Sequence, residues 1–360
     1  DLPRSRGLGD VYKRQHLYAN TYKVGWDGNA EEYKTYLEKT FKETKVPVEV
    51  VDDDGPIIEP TFKAWWGVPD MPKINFKNDG ARQWALDVTE HWIKNFDIDG
   101  WRMDVAKELD FSFWKDFRDV AYSAKKDILL ISEIFGDTSQ WLQGERFDGT
   151  MNYSFRETMT DYFATKRIDN KEFANSLANL YSMYSFEALS SCQNLLSSHD
   201  VKRFLNRCGA NTDGMFGAIF LQATFPGIAG IYYGDEIGLG GADDPFNREP
   251  FPWESEDKWN KDLLKFTSEL MNIKTSQPIL RYGNFEMVTY DDNYVIFRRV
   301  LNDESLLCIV NRDLNNNDIE LNTNAHSVDM VYGDCSIELD SGKLKITDIA
   351  DNFGLIIKES

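Results

Sequence analysis

The chain has 360 residues, 42% of them hydrophobic, and a formal net charge of −20. Its length exceeds the usual size of a single core and sets an expectation of two domains, while the acidic balance works against a phosphate backbone or an anionic membrane as partner, because both select basic surface. A neutral carbohydrate is indifferent to that charge, and the 10 Trp supply flat rings that suit a sugar face as well as a core.

Residues 1–15 show no hydrophobic periodicity and look like translated adapter sequence, so they are read as a non-native leader and set aside. Residues 16–61, with the acidic run Val51-Asp52-Asp53-Asp54-Gly55, fit no element pattern. From Asn78 the pattern becomes regular. Asn78 or Asp79 can cap a helix in which Trp84, Val88, Trp92 and Phe96 recur at helical spacing, and a strand follows over residues 98–105. Trp114, Phe117 and Ala121 mark the next helix and residues 128–135 the next strand, with further strands expected over 148–153, 193–198 and 227–233. Residues 214–234 carry no charge, a length that could reach across a membrane. Pro226-Gly227 divides that run into a helix and a buried strand, so no membrane span is expected. Strands alternating with helices imply a parallel sheet with helices outside, as in a β/α barrel, whose chemistry gathers at the carboxyl ends of the strands. Residues 62–277 supply about five such strands. Beyond 278 the period shortens: strands over 285–290, 294–300 and 305–311 are broken by Asp291-Asp292-Asn293 and Asn302-Asp303-Glu304, and Asp340-Ser341-Gly342 marks another turn. Residues 278–360 are therefore read as a small β-sandwich. Cys192, Cys208, Cys308 and Cys335 show no close spacing, which points to neither a zinc site nor a disulfide scaffold and favours a reducing, cytoplasmic setting.

Three segments carry the chemistry. In Gly100-Trp101-Arg102-Met103-Asp104 the strand period of two puts Arg102 and Asp104 on one face. A guanidinium there favours the ionised carboxylate and keeps it available as a nucleophile. Glu133 follows the uncharged run Ile128-Leu129-Leu130-Ile131 and emerges at an apolar strand end, where desolvation suits a general acid. Ser198-His199-Asp200 adds a third carboxylate. Carboxyl groups pushed apart in pKa are what acetal cleavage needs, one attacking the sugar carbon and one protonating the leaving oxygen.

These segments resemble the conserved blocks of the α-amylase superfamily, glycoside hydrolase family 13, and are most similar to its neopullulanase, cyclomaltodextrinase and maltogenic amylase branch. The segment from Trp65 to Asn75 is similar to that branch's Met-Pro-Lys-Leu-Asn signature. The block from Ile231 to Gly238 resembles its eighth-strand block, and Asp244-Pro245-Phe246-Asn247-Arg248 its Asp-Pro-x-x-Arg loop. The resemblance implies a nucleophile at Asp104, an acid/base at Glu133 and a transition-state stabiliser at Asp200, with Arg102, His199, Asp244 and Arg248 holding sugar. It makes the five strands the fourth to eighth of a (β/α)8 TIM barrel, followed by a C-terminal β-sandwich domain. The chain is then the C-terminal part of a longer retaining enzyme on cyclodextrins, pullulan or maltooligosaccharides, inactive when expressed alone. Residues 16–61 are unplaced by the resemblance, either a remnant of the loop domain after the third strand or a misassembled segment. No cofactor is required; calcium stays open because its usual ligands lie partly upstream, and a homodimer is implied for the intact protein. Lys107 and Glu108, just past the nucleophile, are candidate contacts on the leaving-group side, though the branch more often has Asn where Lys107 stands. Trp66 and Trp141 are candidate sugar platforms.

Three other readings compete. A transferase passes through the same glycosyl-enzyme and differs only in its acceptor. A non-catalytic, amylase-like binding protein would have lost one or more carboxylates, whereas all three are present. A metal-dependent phosphohydrolase would need more histidine ligands around His199-Asp200 than a chain with four His offers.

Overall fold

The computed structural model describes Trp65, residues 71–310, 318–350 and 354–360, and the backbone of Glu49–Val50 and Ile58–Glu59. The leader, almost all of residues 16–61 and Trp66 lie outside the described residues. The chain forms two compact units, Asp1–Val88 and Thr89–Ser360. In the first, β1 (Glu49–Val50) pairs antiparallel with β2 (Ile58–Glu59).

Helix α1 (Asp79–Phe96) begins where the Asn78 side chain accepts the Ala81 N–H at 3.0 Å, the capping role expected of Asn. Its buried side is not the expected one. Trp84, Trp92 and Phe96 are largely exposed, and Leu86, Thr89 and Ile93 are buried instead. The period was legible but its phase was not, because the bulky aromatic residues outweigh a smaller apolar stripe on the other side of the same helix. Trp92 and Phe96 cover each other, with ring centroids 4.6 Å apart.

Strands β3 (Gly100–Met103), β4 (Leu129–Ser132) and β5 (Gly149–Thr150) form one parallel sheet. A second is made by β6 (Gln193–Leu195) and β7 (Ile228–Gly230). The parallel bridge from Met151 to Gln193, with a 2.8 Å hydrogen bond from the Asn152 N–H to the Gln193 carbonyl, joins the two in chain order. Helix α2 (Phe111–Ala124) crosses from β3 to β4 and buries Phe113, Trp114, Phe117 and Ala121. Helices α3 (Tyr153–Met159), α4 (Asn170–Ser182) and α5 (Phe186–Ser191) lie between β5 and β6. The strand expected over 148–153 stops early. The Asn152 side chain accepts the Phe155 N–H at 3.0 Å and opens α3, so Tyr153 starts a helix instead of closing a strand. The uncharged run resolves into α6 (Asp213–Thr224), buried on nearly every side, and β7. No described helix is long and apolar enough to cross a membrane.

After α7 (Lys261–Ser276) and α8 (Pro278–Tyr282) come eight antiparallel strands: β8 (Asn284–Tyr290), β9 (Val295–Leu301), β10 (Glu304–Val310), β11 (Ile319–Asn322), β12 (Val328–Tyr332), β13 (Ser336–Asp340), β14 (Lys343–Thr347) and β15 (Gly354–Glu359). They form a sheet in the order β12-β15-β10-β9-β8 and another in the order β11-β14-β13. Ile296, Leu307, Ile309 and Ile357 of the first pack against Ile319, Leu321, Leu344 and Ile346 of the second. The expected turn at Ser341-Gly342 has positive φ at both residues, 49° and 79°, the twist that a two-residue hairpin favours.

Arg299 of β9 fastens this sandwich to the carboxyl ends of α6 and α8. Fully buried, it donates to the carbonyl oxygens of Thr224 (2.6 Å), Gly283 (2.7 Å), Leu280 (3.0 Å) and Asn284 (3.4 Å). Arg299→Met should therefore cost about 3 kcal/mol or more, since each abandoned buried acceptor costs about 1–3 kcal/mol. Urea unfolding of the protein carrying this chain measures it; a loss below about 1 kcal/mol would show that those carbonyls find other donors.

Candidate active site

The carboxyl end of β3 turns sharply. Arg102 and Asp104 point the same way and join through a 2.6 Å bond from Arg102 Nη1 to Asp104 Oδ1. Val105 then takes φ 43°, ψ 46°, a left-handed conformation that is rare for a β-branched residue and is held only where the surroundings enforce it. Here the enforcing contact is chemical: the Val105 N–H donates to Glu133 Oε2 at 2.8 Å. The Glu133 N–H donates in turn to the Met103 carbonyl at 2.9 Å, and the Ala106 N–H to the Glu133 carbonyl at 3.2 Å. The ends of β3 and β4 are thereby locked in register, with the Glu133 side chain 5% exposed and that of Asp104 62% exposed.

Beyond β6 the chain makes a tight turn closed by a Ser198–Val201 bridge. His199 Nε2 lies 3.0 Å from Asp200 Oδ2, and the Asp200 N–H donates to Ser198 Oγ at 3.2 Å. Arg102 Nη2 stands 4.0 Å from Asp200 Oδ2 and 3.9 Å from Glu133 Oε2. One guanidinium thus faces all three carboxylates. From the other side Arg248 Nη2 lies 3.6 Å from Asp200 Oδ1, while its Nε is 3.0 Å from Asp244 Oδ1 and donates to the His199 carbonyl at 3.0 Å.

Two residues that sequence reasoning did not single out complete the arrangement. Tyr153, at the start of α3, brings its hydroxyl to 3.2 Å from Ser198 Oγ, and its ring stacks on Phe135 at 3.8 Å. Burial pushes its phenol up to about 12, with the charges of Glu133 and Asp200 adding to the effect, so the group is a neutral hydroxyl. Asn247, within the loop of Asp244 and Arg248, is buried and donates to backbone carbonyls of the 198–201 turn. In the sequence Asn247 was only an unspecified position of the Asp244 to Arg248 block, and Tyr153 only the end of an expected strand. Beneath this turn lies Asp235, of the block from Ile231 to Gly238. It accepts from Ser197 Oγ at 2.9 Å and from Arg203 Nη1 at 3.4 Å, and burial pushes its carboxyl up to about 7.

Lys107 and Glu108 fall in the helical turn Ala106–Glu108 just past Asp104, Lys107 exposed and Glu108 half-buried. Trp141 packs on Phe111, ring centroids 5.1 Å apart. Among the described residues no three His, Cys, Asp or Glu side chains are grouped to hold a metal ion. The arrangement offers two carboxyl groups in unlike surroundings, one enclosed and one open, with a third held by a histidine and two arginines. Unlike surroundings are how paired carboxyl groups divide acid and nucleophile roles.

The family described as "Alpha amylase, catalytic domain" matches residues 61–279. A cyclomaltodextrinase of Geobacillus thermopakistaniensis is 36% identical over 255 residues, covering 70% of this chain and 43% of that protein. Neopullulanase 2 of Thermoactinomyces vulgaris is 39% identical over 246 residues, covering 68% of this chain and 42% of its own length. Among solved structures, the Nostoc punctiforme debranching enzyme superposes with a TM-score of 0.77 at 28% identity, over 87% of this chain and 68% of that one. The chain spans less than half the length of the two sequence relatives.

Proposed function

The chain belongs to the alpha-amylase family, and from that premise we propose that the protein it is part of is a retaining glycosidase acting on α-glucans: cyclodextrins, pullulan or short maltooligosaccharides. The observation that carries this reading is the single guanidinium of Arg102 within 4.0 Å of three carboxylates, one of them enclosed and one open.

Asp104 is the nucleophile. Its Oδ attacks the anomeric carbon while the protonated Glu133 gives its proton to the departing glycosidic oxygen, leaving a glycosyl-enzyme ester on Asp104 and a carboxylate at Glu133. Glu133 then takes a proton from water, whose oxygen displaces Asp104 and restores both groups. Asp200 supports the positive charge that develops on the sugar ring between these states, and Arg102, His199, Asp244 and Arg248 hold the sugar. In the same proposal the five parallel strands are the fourth to eighth of a (β/α)8 barrel, and residues 278–360 are the sandwich that follows. The chain by itself is then inactive, because among the described residues β3 and β7 each pair on one side only and open strand edges favour association.

Two outcomes test the chemistry in the full-length protein. The Asp104 and Glu133 carboxyl groups should lie about 5–5.5 Å apart in a crystal structure, the spacing of a retaining pair; a gap near 9 Å would make the enzyme inverting. Asp104→Asn should abolish turnover of every substrate, whereas Glu133→Gln should keep cleaving a glycosyl fluoride, whose leaving group needs no proton. Wild-type activity of Asp104→Asn on maltotriose would remove Asp104 from the nucleophile's role.

A further inference from the structure

Asn247 touches none of the reacting groups, yet the structure spends an unusual amount of bonding on it. It is 1% exposed, rare for a carboxamide on a loop. Its Nδ2 lies 2.9 Å from the carbonyl oxygen of His199, 3.0 Å from that of Val201 and 3.5 Å from that of Ser198. All three are acceptors, so the nitrogen must face them; the amide turned over would set oxygen against oxygen. Its Oδ1 is buried and accepts no hydrogen bond among the described residues, so the side chain works here as a donor alone. The Asn247 backbone carbonyl accepts the Tyr232 hydroxyl at 3.3 Å, which ties the same residue to the segment after β7.

The loop is gripped from its other arm as well. The Arg203 N–H donates to the Gly241 carbonyl at 3.0 Å. A Cβ at Gly241 would come within 2.5 Å of the Phe246 carbonyl oxygen and 2.8 Å of Asn247 Cα. The two arms therefore lie backbone against backbone, and Asn247 has no freedom to withdraw. The three carbonyls it holds flank Asp200, and the next residue, Arg248, reaches the Asp200 carboxylate at 3.6 Å and the Asp244 carboxylate at 3.0 Å.

We propose that Asn247 is a positioning residue: its side-chain N–H groups clamp the 198–201 turn to the 244–248 loop, so that His199, Asp200 and Arg248 meet the sugar as one rigid unit. The proposal rests on the glycosidase reading and adds to it the device that sets the stabilising carboxylate.

Two substitutions in the full-length protein, assayed on maltotriose or a cyclodextrin, test it. Asn247→Ala removes the donors and should lower kcat on the order of a hundredfold, the cost of an ångström-scale misplacement, with a much smaller change in KM. Asn247→Asp keeps the shape but can donate only when protonated, and a carboxyl group enclosed among carbonyl oxygens favours that protonated form. Its folded-state pKa is raised, so activity should be retained at acid pH and lost as pH rises through that pKa, a descending limb additional to the one that loss of the Glu133 proton imposes on wild type and on Asn247→Ala. An Asn247→Asp profile that parallels wild type at every pH, whatever its height, overturns the hydrogen-bonding role, and this readout stands even if Asn247→Ala fails to fold. A crystal structure of Asn247→Ala, or of Asn247→Asp at a pH where its activity is lost, adds a measure independent of activity. The Arg248 Nη2 to Asp200 Oδ1 contact should open from 3.6 Å; an unchanged contact overturns the proposal. Wild-type protein that cleaves no α-glucan would sink the glycosidase reading instead, and the crystallographic comparison would still decide on Asn247.

Discussion

Three carboxylates cannot share a small space without a cation among them, and in this molecule that cation is the Arg102 guanidinium. Two like charges about 5 Å apart repel by about 3 kcal/mol at the effective dielectric of a protein surface, enough to splay the strand ends or force protonation. Arg102 is itself placed by the sheet. Its Nε lies 3.4 Å from Met151 Sδ, and Met151 bridges to Gln193 at the start of β6. The residue that joins the two groups of parallel strands therefore also backs the guanidinium that lets their ends converge. Met151 belongs to a core cluster with Ile131, Tyr153 and Leu195, residues drawn from β4, α3 and β6. Strand order, packing and site electrostatics are set at one place.

What distinguishes the three carboxylates is the company each keeps beyond Arg102. Glu133 is closed in by the backbone just beyond β3, where Val105 accepts a left-handed conformation to deliver its N–H. Asp104 is left open beyond the end of β3. Asp200 has a histidine and a second arginine, and stands on a serine hydroxyl that is within reach of a buried tyrosine. None of these differences comes from a special residue type. They come from where each strand stops and which way the chain leaves.

That is also why only part of the site could be read from the sequence. A period of two is a local rule, and it placed Arg102 beside Asp104 correctly; an uncharged run ahead of Glu133 is a local signal too, and Glu133 is enclosed. The block from Asp244 to Arg248 announced two charges that do come together. Tyr153 could not be found the same way, because its role depends on a helix cap by Asn152 that ends a strand early, and the strand pattern hid the cap. Asn247 stands at an unspecified position of the Asp-Pro-x-x-Arg loop, and its importance is the sum of backbone carbonyls contributed by a turn some fifty positions earlier. In α1 the aromatic residues drew attention to the wrong face, since size enters a periodicity reading while the location of the rest of the protein does not.

The sandwich shows the same dependence on distant backbone. Helix α6 is apolar and buried on almost all sides, so the carbonyls at its carboxyl end cannot turn to water, and a helix terminus without partners is costly. Lys274 of α7 donates to the carbonyls of Ala223 and Phe225, and Arg299 of β9 donates to that of Thr224. Burial pushes the Lys274 amine down to about 7 and the Arg299 guanidinium to about 10, a cost the fold accepts because the alternative is bare acceptors at the end of a buried helix. Positive groups at a helix carboxyl end also meet the negative pole of its dipole. Since one of these two cations sits on a sandwich strand, the same contact that completes α6 docks the sandwich. The fold of the parallel strands and the attachment of the C-terminal sheets are then one problem, solved by the side chains that satisfy a single helix end.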